Sequence, residues 1–218
     1  MKRYLTIAEL PTMIPVFPLS GALLLPRAEL PLNIFEPRYL ALFDTAMSTS
    51  RVVGMIQPVA GDATDAPALN NIGCAGRVSS FSETGDGRLL VSLTGVCRFE
   101  VVSEKKRKLP YRTVEVSYDG FASDLVVEAN ARGVNREAVL RAFRQYLEAN
   151  NMSADWEEVA QVPTESLINT LSQLAPYPAA EKQALLEAPD LKARAEMLIA
   201  LTELALTKSG SGRPNTLQ

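Results

Sequence analysis

Proline limits how this chain can begin. Six of its 14 prolines, Pro11, Pro15, Pro18, Pro26, Pro31 and Pro37, fall in the first 37 residues. Proline lacks a backbone N–H and its ring clashes inside a helix, so this stretch is confined to extended strands and turns. Ile14-Pro15-Val16-Phe17-Pro18-Leu19 reads as an edge strand, Ser20-Gly21 as a turn, and Leu23 to Leu25 as a short apolar piece stopped by Pro26. The first helix opens at Glu36-Pro37, because the first helical position needs no N–H. Behind it, Tyr39, Leu40, Phe43, Ala46 and Met47 recur at helical spacing.

Arg51 to Gln57 then reads as a short buried strand, and Gly61 to Asn71 as a turn-rich surface loop. Ile72 to Glu83 and Arg88 to Val102 flank Thr84-Gly85-Asp86-Gly87, a strong hairpin signal. With Gly85-Asp86 as a two-residue loop, Val78 pairs with Leu93, Phe81 with Leu90, Gly76 with Gly95 and Cys74 with Cys97. The two thiols are then expected to be near neighbours and reduced. Tyr111 to Tyr118 alternates and makes a further strand.

The pattern changes after Asp119-Gly120. Ala138, Val139, Ala142, Phe143, Tyr146 and Leu147 form a helical stripe capped by Asn135; Leu167, Ile168, Leu171 and Leu174 form another, ended by Pro176. Ala179 to Glu187 is a short helix. Asp190 caps a last one, with Leu191, Ala195, Leu198, Leu201 and Ala205 on its face. Strands first and helices last give an α+β class. The expected division is a β-rich body over 1–119, a helical subdomain packed on it over 120–208, and a flexible tail over 209–218.

Histidine is absent, which removes Ser-His-Asp and Cys-His catalysis. With two cysteines, a closed Cys/His zinc site cannot be built within one chain. A net charge of −3 gives no global attraction for nucleic acid or anionic lipid. No apolar run nears the roughly 20 residues of a membrane helix, and the start makes a poor signal peptide. Cytoplasm is the expected location, with no metal and no cofactor.

Three ordered blocks carry a family resemblance. Pro15-Val16-Phe17-Pro18-Leu19, Pro26 and Pro31-Leu32-Asn33-Ile34-Phe35-Glu36-Pro37-Arg38-Tyr39 resemble the opening of the Lon protease N-terminal domain family. Ile72 to Val78 resembles a second family strand. Asp86-Gly87-Arg88 followed by Gly95-Val96-Cys97-Arg98-Phe99 resembles a third block. The resemblance implies a PUA-like β-rich body, a pseudo-barrel, followed by a helical bundle that engages substrate polypeptides. Full Lon proteases continue into an ATPase and a Ser-Lys peptidase. The present sequence holds no G-x-x-x-x-G-K-[ST] phosphate loop. The expectation is therefore a free-standing, non-catalytic polypeptide-binding module, an adaptor or chaperone-like binder in protein quality control. Its expected partners are unfolded or misfolded polypeptides and a protease or chaperone.

Leu23, Leu24, Leu25, Leu30, Leu32 and Phe35 lie in proline-broken segments where an amphipathic face is hard to build, so they are the candidate polypeptide-binding residues. The motif residues Pro18, Leu19, Pro31, Ile34, Glu36, Pro37, Arg38, Tyr39, Gly95, Arg98 and Phe99 are read as structural. Arg38 is expected to fix strand termini, Glu36 to favour the helix N-terminus, and Tyr39 and Phe43 to be core. The run Lys105-Lys106-Arg107-Lys108 supports an alternative, an RNA-associated PUA-like module, which the acidic balance opposes. A hydrolase using carboxylates or a Ser-Lys pair is a further alternative with no motif behind it.

Overall fold

The computed structural model describes residues 4–59, 66–105, 108–126 and 133–210. Strands lead: β1 (Met13–Pro18), β2 (Glu29–Ile34), β3 (Val52–Ile56), β4 (Ile72–Glu83), β5 (Leu89–Lys105) and β6 (Arg112–Ser117), with α1 (Pro37–Ser48) after β2. A 3-10 segment, Asp119–Leu125, precedes α2 (Arg136–Ala149), α3 (Trp156–Gln161), α4 (Thr164–Leu174), α5 (Ala179–Glu187) and α6 (Leu191–Gly210). This is the α+β order expected. Pro37 sits in the first turn of α1, and the Asn135 and Asp190 side chains accept from Ala138 N and Ala193 N at 3.0 and 2.8 Å.

The sheet runs β2-β5-β4-β3-β1-β6, and β6 pairs back onto β5. Five strands thus close into a barrel while β2 extends β5 outward. The 17-residue length of β5 permits this: Leu89–Thr94 pairs with β2 and Glu100–Lys105 with β6. Alternating residues fill the interior, among them Ile14, Val16, Val52, Ala75, Phe99 and Val114. The Phe99 ring needs two glycines beside it. A Cβ on Gly73 would lie 2.4 Å from its Cζ, and one on Gly54 would lie 3.0 Å away.

Several expectations are corrected here. β1 is not an edge; it lies between β3, to which it is parallel, and β6. Leu19 N donates to Ile56 O, so odd residues of β1 turn their N–H towards β3 and even ones towards β6. Pro15 faces β3 one residue before that pairing starts, and Pro18 faces β6 after that pairing has ended. Neither proline therefore costs a ladder bond.

The hairpin turn is also longer than expected. Gly87 N donates to Thr84 O and Thr84 N to Arg88 O, with Gly87 at φ 79°, so the turn closes on a left-handed glycine. Phe81 consequently faces Val91 rather than Leu90. A bulge between Val78 and Ser80 restores Val78–Leu93 and Gly76–Gly95, and a second at Val96 places Ala75 opposite Cys97. Cys74 is then opposite Arg98, and the two thiols take opposite faces of the sheet. Both are free and buried.

The chain divides into two compact units: Met1–Val127 with Pro176–Leu186, and Glu128–Ala175 with Glu187–Gln218. The composition change at Asp119-Gly120 is not where the units part. Asp119–Leu125 stays with the barrel because Asp124 receives Arg98, and most of α5 returns to it. Gln57, 2% exposed, donates to Ala179 O and to Gln183 Oε1, while Gln183 donates to Ile72 O. In the second unit α6 packs with α2 and α4, burying Val139, Ala142, Ile168, Ala195 and Leu198. Leu174, expected on a buried stripe, is 76% exposed at the end of α4. Residues 106, 107 and 211–218, covering part of the basic run and most of the expected tail, lie outside the described residues, as do 60–65 of the expected surface loop.

Burial raises the Cys74 thiol well above its ordinary value and Cys97 to about 12, with the Asp124 charge adding to both. At pH 8 neither is a thiolate. Iodoacetamide should leave both unmodified in the folded protein and alkylate both in urea, read by intact mass; rapid native alkylation would contradict the placement.

Candidate functional site

The irregular stretch after β1 turns inward. Leu23, Leu24 and Leu25 are at most 2% exposed. Leu25 approaches β5 by backbone: a Cβ on Gly95 would lie 2.0 Å from Leu25 O. Arg27 N donates to Gly95 O at 2.8 Å, and Gly95 N to Ala28 O at 2.9 Å. Leu24 reaches over Gly76, where a Cβ would meet its Cδ2 at 2.7 Å. These three leucines are core side chains, which removes them from the candidate surface.

The rest of the stretch forms β2, a strand whose described pairing is with β5 alone. Because Ala28 O accepts from Gly95, Leu30, Leu32 and Ile34 direct their backbone groups to β5. Pro31 then faces the open edge, where its missing N–H leaves nothing unmatched. Leu30 and Leu32 are half-buried beside Leu93 and Val91, and Phe35 is 62% exposed. Phe81, also opposite Val91, is 41% exposed on the face that carries Leu32; Leu90 is 49% exposed on the opposite face. Phe35 lies 5.8 Å from the Arg88 guanidinium. The ribbon β2-β5-β4 therefore shows solvent apolar side chains on both faces. Phe81 and Leu90 were not among the candidates, since only the true register reveals which side of the ribbon each takes.

Several motif residues have structural places. Ile34 is buried, Gly95 admits Leu25, and Arg98 and Phe99 are 2% and 0% exposed. Arg98 bonds Asp124 through Nε, Nη2 and its backbone N at 2.8–3.0 Å, donates to Leu186 O at 3.1 Å, and stacks on Phe121 at 4.6 Å. Glu36 is the N-cap residue of α1 but makes no capping bond; its carboxylate holds Arg38 at 2.7–2.9 Å. Arg38 thus pairs with its near neighbour and fixes no strand terminus. That task belongs to Arg112, bound to Glu104 at 2.6–2.7 Å and to Pro67 O at 2.5 Å. In the basic run, Lys105 pairs with Glu115 at 2.7 Å.

A cleft of ≈ 660 Å³ opens in the barrel unit where α1 meets the ends of β1 and β6. Pro18, Pro58, Pro67 and Pro110 form much of its wall, and Arg38, Tyr39, Tyr111 and Arg112 supply its polar groups. Tyr39 packs edge-on against Phe17 at 4.2 Å, as core expectation required, with Arg38 over its ring at 4.6 Å. Burial raises the Tyr39 phenol above its ordinary value. Arg38 and Arg112 pull the other way, and Glu36 adds to the rise. Tyr111 donates to Thr45 Oγ1 at 2.9 Å. Among the described residues no cluster of three or more His, Cys, Asp or Glu side chains could hold a metal, and no helix is long and apolar enough to cross a membrane.

Residues 13–203 match the family model described as the ATP-dependent protease La (LON) substrate-binding domain. Lon protease 2 of Myxococcus xanthus is 26% identical over 198 residues, 88% of this chain and 24% of that protein. The Lon protease of Chloroherpeton thalassium is 29% identical over 194 residues, 85% of this chain and 22% of that protein. The chain therefore spans about a quarter of the length of the curated relatives it matches. Among solved structures, a Lon N-terminal domain protein from Xanthomonas campestris aligns with TM-score 0.59 and 27% identity, covering 87% of this chain and 98% of its own. The N-terminal domain of a Mycobacterium avium complex Lon protease shares the fold at TM-score 0.63 and 19% identity, covering 88% and 98%.

Three substitutions test these placements. Gly95→Ala puts a methyl against backbone that cannot rotate away, and should cost about 3 kcal/mol in urea unfolding. Leu24→Glu should abolish cooperative unfolding, whereas Phe35→Glu should leave the midpoint nearly unchanged. A folded Leu24→Glu protein would contradict the inward placement.

Proposed function

The chain belongs to the Lon substrate-binding domain family, and we propose that its barrel unit recognises exposed apolar segments of other polypeptides without catalysing a reaction on them. The observation that carries this reading is the solvent exposure of Phe35, Phe81 and Leu90 on one ribbon projecting from an otherwise well-filled barrel. Such side chains lose water when an apolar segment covers them, at about 25 cal/mol per Å² removed from solvent. Leu30 and Leu32 widen the patch on the Phe81 face. The ribbon is braced by the closed barrel, so little ordering entropy opposes binding. Affinity for any one sequence stays modest, because a surface that accepts many cannot optimise its contacts for one. In a cell this makes the protein an adaptor or chaperone-like binder that presents non-native chains to a protease or chaperone, in the cytoplasm.

The test is titration of a reduced, alkylated, permanently unfolded protein against the wild type and against Phe35→Glu/Leu90→Glu and Phe81→Glu, with circular dichroism as folding control. Wild type should bind, and each variant should bind roughly tenfold more weakly, as for loss of an apolar anchor. Wild type that fails to bind rejects the function; folded variants that bind equally well reject the surface.

A further inference from the structure

Tyr39 is 8% exposed, and its hydroxyl, still open to solvent, bonds no other described residue. The ring cannot swing away to find one, held as it is against Phe17 at 4.2 Å and under Arg38 at 4.6 Å. The hydroxyl therefore looks into the proline-walled cleft, where the charges of Arg38 and Arg112 act on it. Arg112 is oriented by Glu104 and Pro67 O. Arg38 is held by the neighbouring Glu36 in an exposed pair, which is weak and readily exchanged for another carboxylate.

We propose that this cleft receives the C-terminal carboxylate of a bound polypeptide, with the Tyr39 hydroxyl and the guanidinium groups of Arg38 and Arg112 as its donors. The donor set matches an acceptor-only group: guanidinium groups only donate, and an ionised carboxylate only accepts. A chain end fits better than a passing segment. The four prolines offer no N–H, so a strand running through would leave its carbonyls unmatched, and Pro58 O is already taken by Asn70 and Pro67 O by Arg112. The apolar last side chain of the ligand would lie on the proline rings. This inference rests on the polypeptide-recognition reading and adds to it a preference for chain ends.

The experiment is fluorescence anisotropy of the whole chain with one short N-terminally labelled peptide ending in an apolar residue. The peptide is used as free acid, as C-terminal amide, and as amide carrying one internal glutamate. The free acid should bind about tenfold or more tightly than either amide. Tyr39→Phe, which keeps the ring packing, should weaken free-acid binding about tenfold and leave amide binding unchanged. Arg38→Gln, at an exposed position, should do the same and carries the comparison if Tyr39→Phe proves unstable in a thermal melt. Equal binding of acid and amide, glutamate amide matching the free acid, or folded variants with unchanged free-acid affinity would each overturn the proposal. If all three peptides bind alike, polypeptide recognition stands and only the chain-end site fails. If neither peptides nor unfolded protein bind, both fail.

Discussion

Arg98 is the residue on which the assembly of the barrel unit turns. Its guanidinium lies 2% exposed on β5, clasps Asp124 with two side-chain bonds, donates to Leu186 O and stacks on Phe121. Taking an ion pair out of water is expensive, and an apolar pair of the same size can be as stable. What an apolar pair would lack is direction. The planar fork demands a carboxylate in one place and a carbonyl in another, so it sets where the segment after β6 and the returning α5 attach to the strands. The Arg27 bond to Asp124 O and the Cys97 thiol donating to Phe121 O hold the same segment from other sides.

Close approach at glycine is the second constraint, and it shapes the surface as much as the core. Phe99 fills the barrel only because Gly54 and Gly73 present no Cβ to its ring. Leu25 reaches β5 only because Gly95 presents none to its carbonyl. That second contact pulls Leu23 to Leu25 inward and, through the Ala28–Gly95 bond, sets the register in which β2 joins β5. The apolar ribbon and the buried leucines are thus consequences of one backbone contact. Beyond it, the hairpin carries Phe81 and Leu90 to where solvent reaches them.

The prolines serve the cleft differently from the way they serve the strands. In β1 and β2 they occupy positions where a ladder bond is not required. Around the cleft, Pro18, Pro58, Pro67 and Pro110 make a stiff wall without donors, and Arg38, Tyr39, Tyr111 and Arg112 supply its polar groups. The proposed recognition of non-native polypeptide draws on both features, the braced ribbon for apolar segments and the donor-lined cleft for chain ends.

Local rules made much of this legible in advance. The helix start at Pro37, the caps at Asn135 and Asp190, the extended segments around Pro15, Pro18 and Pro31 and the α+β order each depend on a few neighbouring residues, and each was determined by sequence alone; ahead of them Ile7–Glu9 turns as a short 3-10 helix rather than running extended. The three family blocks also identified Gly95, Arg98 and Phe99, without saying what they touch. Decisions that link distant residues were not legible. One extra residue in the turn and two bulges moved Cys74 from Cys97 to Arg98 and Phe81 from Leu90 to Val91. With a side-chain period of two, each such shift exchanges the faces of everything beyond it. Leucines in proline-broken chain look alike whether a glycine 70 residues away lets them in or not, and a tyrosine in a helix gives no sign that its hydroxyl will lack a partner. Sequence determined the elements and their order, because those arise from neighbours along the chain. Which side chains are buried, which face solvent and which donors converge were decided by tertiary packing, because burial is a property of what comes to lie opposite.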